Sequence, residues 1–319
     1  MAASIILVAV AVAFAWSMGA HYTGACMGMP YASHSISLWP ALGAMAILAL
    51  IGATFASHKV EQTVGHNILP AVVTKGTAIV IVLAAFVLTT IYTKLKIPTS
   101  TIQILVFCVV GAGLAIGSKI DWTTIWHLAV IWVCAPVVAV GLGFLFTHLF
   151  DHFSPATKLN TSGKGFWPVA LVVVGAAASF VMGSNDVSNA TGAFLMTHLF
   201  DVLLAGLIGG IGLSIGVLTW GKPLLQRVAF DIVKMDLAMA SAAQLVQALV
   251  VISAVAFGYF TSMNQALIGA MAGTGLARGR ETVQWPTLYG ILKGWAIGPA
   301  SGLVLAYVIA RVAGSFVHL

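Results

Sequence analysis

Gly183-Ser184-Asn185-Asp186-Val187-Ser188-Asn189-Ala190-Thr191-Gly192 is a polar, glycine-bounded run between long apolar segments. Asp186 falls near the middle of that hydrophobic tract. A carboxylate at such depth costs roughly 2.5–3.5 kcal/mol on insertion scales, so an ionisable group there signals function. Asn185, Ser188, Asn189 and Thr191 surround it with amides and hydroxyls, and Gly183 and Gly192 let the backbone leave the helix and expose its own polar groups. The run predicts a small-ion site on a discontinuous helix. The competing reading is a bent helix whose Ser and Thr bond back to their own turn; an Asp with two Asn cannot be satisfied so locally in lipid.

Outward from this run, the chain of 319 residues is 60% hydrophobic and 7% charged, whereas soluble domains carry about 25% charged residues. Apolar segments cover approximately 3–18, 38–56, 71–93, 101–118 and 124–150, then 166–182, 193–220, 237–260, 263–277 and 286–313. This is the pattern of an all-α, multi-pass protein of the lipid bilayer, expected in the cell (inner) membrane. The net charge of +6 lies mostly between segments, a headgroup pattern and no nucleic-acid footprint. Cys26, Cys108 and Cys134 stand apart in apolar surroundings, with no spacing for a disulfide or zinc. Met1 to Met18 has no positive flank and reads as a retained helix. No paired carboxylates, metal-spaced His or nucleophile–base arrangement points to an enzyme, and no cofactor is implied.

The chain divides at a polar connector, residues 151–165, into a first transmembrane repeat, 1–150, and a second, 166–319. One register of the two halves puts Gly19 on Gly183, Gly28 on Gly192 and Gly52 on Gly216. A second aligns Thr99-Ser100-Thr101-Ile102-Gln103 with Thr261-Ser262-Met263-Asn264-Gln265, and Gly111-Ala112-Gly113 with Gly273-Thr274-Gly275. A third matches Trp122 and Pro136 to Trp285 and Pro299. Internal repeats with interrupted apolar segments at matching places point to a secondary transporter with its site near the midplane. Whether the repeats are parallel or inverted depends on the crossings per half, which the sequence leaves open.

The segments beginning at Thr99 and Thr261 are short, open on hydroxyls and a Gln, and fit re-entrant hairpins. An ordinary short helix with a Ser/Thr cap would also explain the hydroxyls. The interruptions together offer Asn185, Asn189, Gln103, Asn264, Gln265, Ser100, Thr101, Ser188, Thr191, Thr261 and Ser262, with one carboxylate and no Lys or Arg. Helix N-termini and hydroxyl donors suit a tetrahedral oxyanion. Asp186 would repel it, by about 4 kcal/mol at ~4 Å and an effective dielectric of about 20. Binding H+ or Na+ at Asp186 removes that conflict, so charge balance predicts coupled cation–anion uptake. In the first half His21-Tyr22 stands opposite Asn185-Asp186 and Ala25 opposite Asn189. His21 is a candidate proton carrier or a neutral histidine lining the break; Tyr22 fills the vacated space or offers a hydroxyl. Lys59, Glu61, His58 and His66 in one connector, and Lys222, Arg227, Asp231, Lys234 and Asp236 in its counterpart, read as solvated or headgroup-facing, and Lys293 as a snorkelling lysine or one approaching a pore.

The run GSNDVSNATG at 183–192 resembles the signature of the inorganic phosphate transporter family, and the Thr99 and Thr261 segments resemble that family's Ser/Thr-rich hairpins. The resemblance extends from Gly19 to about Gly314. It implies two inverted structural repeats with discontinuous helices and re-entrant hairpins, a homodimer, and cation-coupled symport of inorganic phosphate. By it, Asn185, Asp186 and Asn189 take cation and anion roles, and Ser100, Thr101, Gln103, Ser262, Asn264 and Gln265 line the oxyanion site, with Ser188 beside them. The first copy, Gly19-Ala20-His21-Tyr22-Thr23-Gly24-Ala25-Cys26-Met27-Gly28, lacks the acidic residue and the Asn, as in the family's sulfate-permease-like members. Sulfate is therefore the alternative substrate, with H+ at Asp186 and His21 as the alternative to Na+. A passive small-solute channel is the alternative of another class.

Overall fold

The structure, a computed structural model, describes residues 1–69, 73–95, 97, 99–153, 165–225 and 235–314. It is built of helices: α1 (Ala2–His21), α2 (Thr23–Ala32), α3 (Leu38–Phe55), α4 (His58–Gln62), α5 (Lys75–Leu95), α6 (Thr101–Ala115), α7 (Trp122–Phe153), α8 (Phe166–Met196), α9 (Val202–Trp220), α10 (Lys222–Leu225), α11 (Leu237–Ala256), α12 (Met263–Arg278) and α13 (Trp285–Gly314). Among the described residues, eight stretches are long and apolar enough to cross a membrane: α1 with α2, then α3, α5, α7, α8, α9, α11 and α13. Helix is what such sequence must form in lipid, because only intra-segment hydrogen bonds satisfy the backbone there.

Packing follows the internal repeat. α1 lies on α9 as α8 lies on α3; α1 on α5 as α8 on α11; α6 on α13 as α12 on α7. Exchanging α1, α3, α5, α6 and α7 for α8, α9, α11, α12 and α13 maps these contacts onto themselves. The repeated glycines sit where the helices cross. A Cβ at Gly19 would strike the Leu213 carbonyl and one at Gly183 the Ala49 carbonyl; one at Gly52 would strike Phe180 and one at Gly216 would strike Trp16. Each pair occupies equivalent positions of the two halves. Small residues let backbones approach closely where lipid supplies no hydrophobic drive for association.

The expected helix break at Gly183–Gly192 does not occur. α8 runs unbroken from Phe166 to Met196. Gly183 is spent on close approach to α3, and Gly192 leaves room for Val64; neither is needed to free the backbone. The interruption lies in the first copy instead, where Tyr22 separates α1 from α2.

Two helical hairpins meet in the interior. At the open end of α11–α12, Arg278 bonds Asp236, the N-cap of α11, at 3.0 Å, and grips Asp151 near the end of α7 at 2.6 and 2.7 Å. At the open end of α5–α6, a Cβ on Gly113 would meet Leu69, and Asp121 N donates to Ile68 O at 3.1 Å just before α7 begins. The boundary connector is helical as far as Phe153; residues 154–164 lie outside the described residues, as do Arg227, Asp231 and Lys234. Lys293 is exposed on α13.

Candidate ion and oxyanion site

The sequence at each hairpin turn dictates a capped helix start. Ser100 and Ser262 are extended N-caps of α6 and α12, and their hydroxyls accept from Gln103 N and Gln265 N, each at 3.3 Å. Ser-x-x-Gln is the capping-box spacing. Here the glutamines do not fold back onto their caps. They pair with each other across the halves: Gln103 Nε2 donates to Gln265 Oε1 at 3.3 Å, and Gln265 Nε2 to Gln103 Oε1 at 3.2 Å. Two helix N-termini thereby converge with their hydroxyls and amides on one point.

The middle of α8 faces that point. Asn185 staples α8 to the second hairpin, its Nδ2 donating to Thr261 O at 2.8 Å and its Oδ1 accepting from Thr261 N at 3.2 Å. The same Nδ2 reaches Asp186 Oδ2 at 3.1 Å. Asn189 Nδ2 donates to Thr101 Oγ1 at 3.2 Å. Tyr22 fills the first-copy position of the carboxylate: its hydroxyl lies 2.7 Å from Thr101 Oγ1 and interacts with Asp186. Asp186 Oδ1, Asn189 Oδ1, Thr99 Oγ1 and Thr261 Oγ1 are buried with no hydrogen-bond partner. Buried polar groups are nearly always paired, so these four unpaired oxygens on the converging segments make this a candidate binding place. Asp186 and Asn189 are three apart and share a helix face, which directs two acceptor oxygens together.

His21 occupies the position equivalent to Asn185. Asn264 Nδ2 donates to Thr99 O at 2.9 Å and lies 3.2 Å from His21 Nε2, while His21 Nδ1 lies 2.8 Å from Thr93 Oγ1. The Asn264 amide as placed offers an N–H to Nε2, an arrangement met by the tautomer with its hydrogen on Nδ1 toward Thr93. Asn185, Asp186, Ser100, Thr101 and Ser262 are each at most 1% exposed, and His21, Gln103 and Asn264 are no more than 7% exposed. The cluster is buried in the interior.

The sequence-predicted residues His21, Ser100, Thr101, Gln103, Asn185, Asp186, Asn189, Ser262, Asn264 and Gln265 therefore meet in one cluster. Ser188 brings no hydroxyl to it, since that group is spent on Asn185 O at 3.0 Å; on a continuous helix a Ser bonds back to its own turn. Glu61, expected to be solvated, is fully buried, and Thr191 Oγ1 lies 2.6 Å from its Oε1. Thr93, Gln244 and Gln247 join the site only in the structure. Gln244 Nε2 donates to Ala25 O at 2.7 Å and Gln247 Nε2 to Met263 O at 3.3 Å, tying α11 to α2 and α12. Two Gln three apart in an apolar helix are the signal that could have found them; a lone Thr such as Thr93 gives none.

The sequence profile described as the phosphate transporter family matches residues 18–306. The "Putative phosphate permease MJ0630" of Methanocaldococcus jannaschii is 25% identical, covering 92% of this chain and 93% of its own. The "Sulfate permease CysP" of Bacillus subtilis is 26% identical, covering 94% of this chain and 85% of its own. A solved structure named "The sodium-dependent phosphate transporter" superposes with a TM-score of 0.89 over 99% of this chain and 100% of that one, at 20% identity. That likeness carries the fold.

Proposed function

This chain belongs to the phosphate transporter family, an integral multi-pass membrane protein, and we propose that it is a cation-coupled symporter of inorganic phosphate. The family's members are transporters and not enzymes. One observation carries the reading: the capped starts of α6 and α12 converge from the two halves on a buried carboxylate, Asp186, whose Oδ1 has no partner. The caps and hydroxyls supply donors for an oxyanion. Asp186 Oδ1 and Asn189 Oδ1 supply acceptors for a cation, or for the proton that phosphate carries.

In this reading Ser100, Thr101, Gln103, Ser262, Asn264 and Gln265 hold the anion once the Gln103–Gln265 pair opens. Asp186, helped by Asn185 and Asn189, takes H+ or Na+. Tyr22 plugs the equivalent place in the first half, which leaves one carboxylate for coupling. Sodium is favoured by the sodium dependence named for the structural neighbour, and by the sodium-dependent phosphate transporter 1 of Xenopus tropicalis, 30% identical over 41% of this chain.

Inverted repeats are supported by where the hairpins open. α5–α6 opens beside the start of α7, and α11–α12 beside its end. A single 32-residue helix separates the two openings, long enough to cross, so the hairpins enter from opposite faces. If α5 and α11 are hairpin arms, each half crosses three times, and an odd number inverts the next half. In this reading residues 1–150 and 166–319 are the two repeats, joined by 151–165, and the assembly is a homodimer.

Sulfate is the second reading, favoured by the similarity to the Bacillus subtilis permease. Purified protein in proteoliposomes, offered labelled phosphate or sulfate under separate pH and sodium gradients, tests both. Concentrative phosphate uptake under one gradient is expected. Uptake that never exceeds equilibration identifies a passive channel and ends the symport reading.

A further inference from the structure

Glu61 sits in α4, in the connector between α3 and α5 and outside the eight candidate spans. It is 0% exposed, and its Oε2 has no hydrogen-bond partner. Its other oxygen lies 2.6 Å from Thr191 Oγ1, which also lies 3.0 Å from Val187 O. A threonine hydroxyl has one hydrogen for these two acceptors. If Glu61 is ionised, Thr191 can donate to one of its oxygens while Val187 O keeps its helical N–H, and Oε2 is left as a buried, unpaired carboxylate oxygen. If Glu61 is protonated, it donates to Thr191, and Thr191 donates to Val187 O; both bonds are then made.

Among the described residues, no cationic side chain is seen paired with Glu61. α4 packs on α8, α9, α11 and the helical turn Thr63–Asn67 that follows it. α8 carries Asp186 as its one ionisable residue, α9 and α11 carry none, and the turn adds His66. On α4 itself, His58 is exposed and Lys59 gives its ammonium to Ala256 O at 2.7 Å. Arg278 forms ion pairs with Asp151 and Asp236 and not with Glu61.

We propose that Glu61 is a proton-binding site separate from Asp186, protonated when α4 is docked on α8, and linked through Thr191 to the helix that carries the ion site. Burial pushes the Glu61 carboxyl up to about 8, the Thr191 hydroxyl opposing part of that rise. Its folded value lies above its unfolded one, so its contribution to stability is full below about pH 4.5 and is lost as pH rises through about 8. Loss of the proton weakens the α4–α8 contact beside Gly192, where Val64 already fills the space. The coupling role rests on the transport reading above; the proton site does not.

Infrared difference spectroscopy of the purified full chain, stepped from about pH 6 to about pH 10, separates the two. A protonated carboxyl band should persist in Asp186→Asn, fade with a midpoint near pH 8, and vanish in Glu61→Gln. One unit above the midpoint, roughly a tenth of it should remain. Thr191→Val should move that midpoint up by about one unit, because a hydroxyl bonds a carboxylate more strongly than an acid. A packing role alone would not move it. Glu61→Gln, which keeps the side-chain shape, should also flatten the alkaline fall in uptake to less than about twofold across the same window. A spectrum unchanged by Glu61→Gln overturns the proposal, and so does a band removed by sodium at constant pH, which would make this a sodium site. Loss of coupled uptake with the Glu61 band intact would sink the transport reading and leave the proton site standing.

Discussion

At the residue scale, the two polar runs differ: Asp186 stands where the first half has Tyr22, and His21 stands where the second half has Asn185. Asp186 keeps an oxygen without a partner inside the protein, which is costly unless a guest completes it. Asp186→Asn keeps the shape and removes the charge. Uptake should fall at least about tenfold, the equivalent of about 1.4 kcal/mol, and any residual flux should ignore the driving cation. Unchanged uptake with unchanged coupling would rule Asp186 out. His21 is held between Thr93 and Asn264. Nitrogen NMR of labelled protein should therefore find His21 with its hydrogen on Nδ1; hydrogen on Nε2 would contradict the Asn264 contact.

At the scale of elements, glycine has a different meaning from the one its flanking of a polar run implies. Gly183 and Gly192 read as backbone breaks in the sequence because free polar backbone at depth is a common reason for glycine there. The structure spends them on helix crossings. Gly183→Ala should force α3 off α8 and destabilise the protein by about 1–3 kcal/mol, read as a lower unfolding temperature in detergent. Gly43, where a Cβ would meet nothing within 4 Å, is the control, and Gly43→Ala should be close to neutral. Equal melting of the two variants would defeat the crossing argument. The short helices α6 and α12 were legible, caps and all, because Ser-x-x-Gln after a turn is a local signal. The cross-pairing of their glutamines was not, since it joins residues from opposite halves of the chain.

At the scale of the whole molecule, the site is closed from both halves at once. Gln103 and Gln265 bond each other, and in the proposed reading, where a substrate needs their donors, the hairpins would have to part. Cysteines at both positions, joined by a short thiol cross-linker in a background lacking the exposed Cys134, should abolish uptake, and a cleavable linker should restore it on reduction. Normal uptake by the linked protein would mean that the hairpins do not move. The ion cluster of Arg278 with Asp151 and Asp236 anchors the outer end of the second hairpin. Arg278→Ala should loosen that end and raise proteolysis near Arg278 more than it lowers stability, because partly exposed ion pairs contribute little.

The sequence by itself determined that this chain crosses a membrane, repeats internally, and carries a carboxylate among amides at depth. Those properties follow from composition, register and the cost of charge in lipid, all of which act locally. Only the tertiary structure decided that α8 is unbroken, that the Tyr22 hydroxyl meets Thr101, and that Glu61 is buried against Thr191. Each depends on which distant helix lies alongside. A glycine, a tyrosine or a connector glutamate reads the same in sequence whether its neighbour is lipid, water or another backbone.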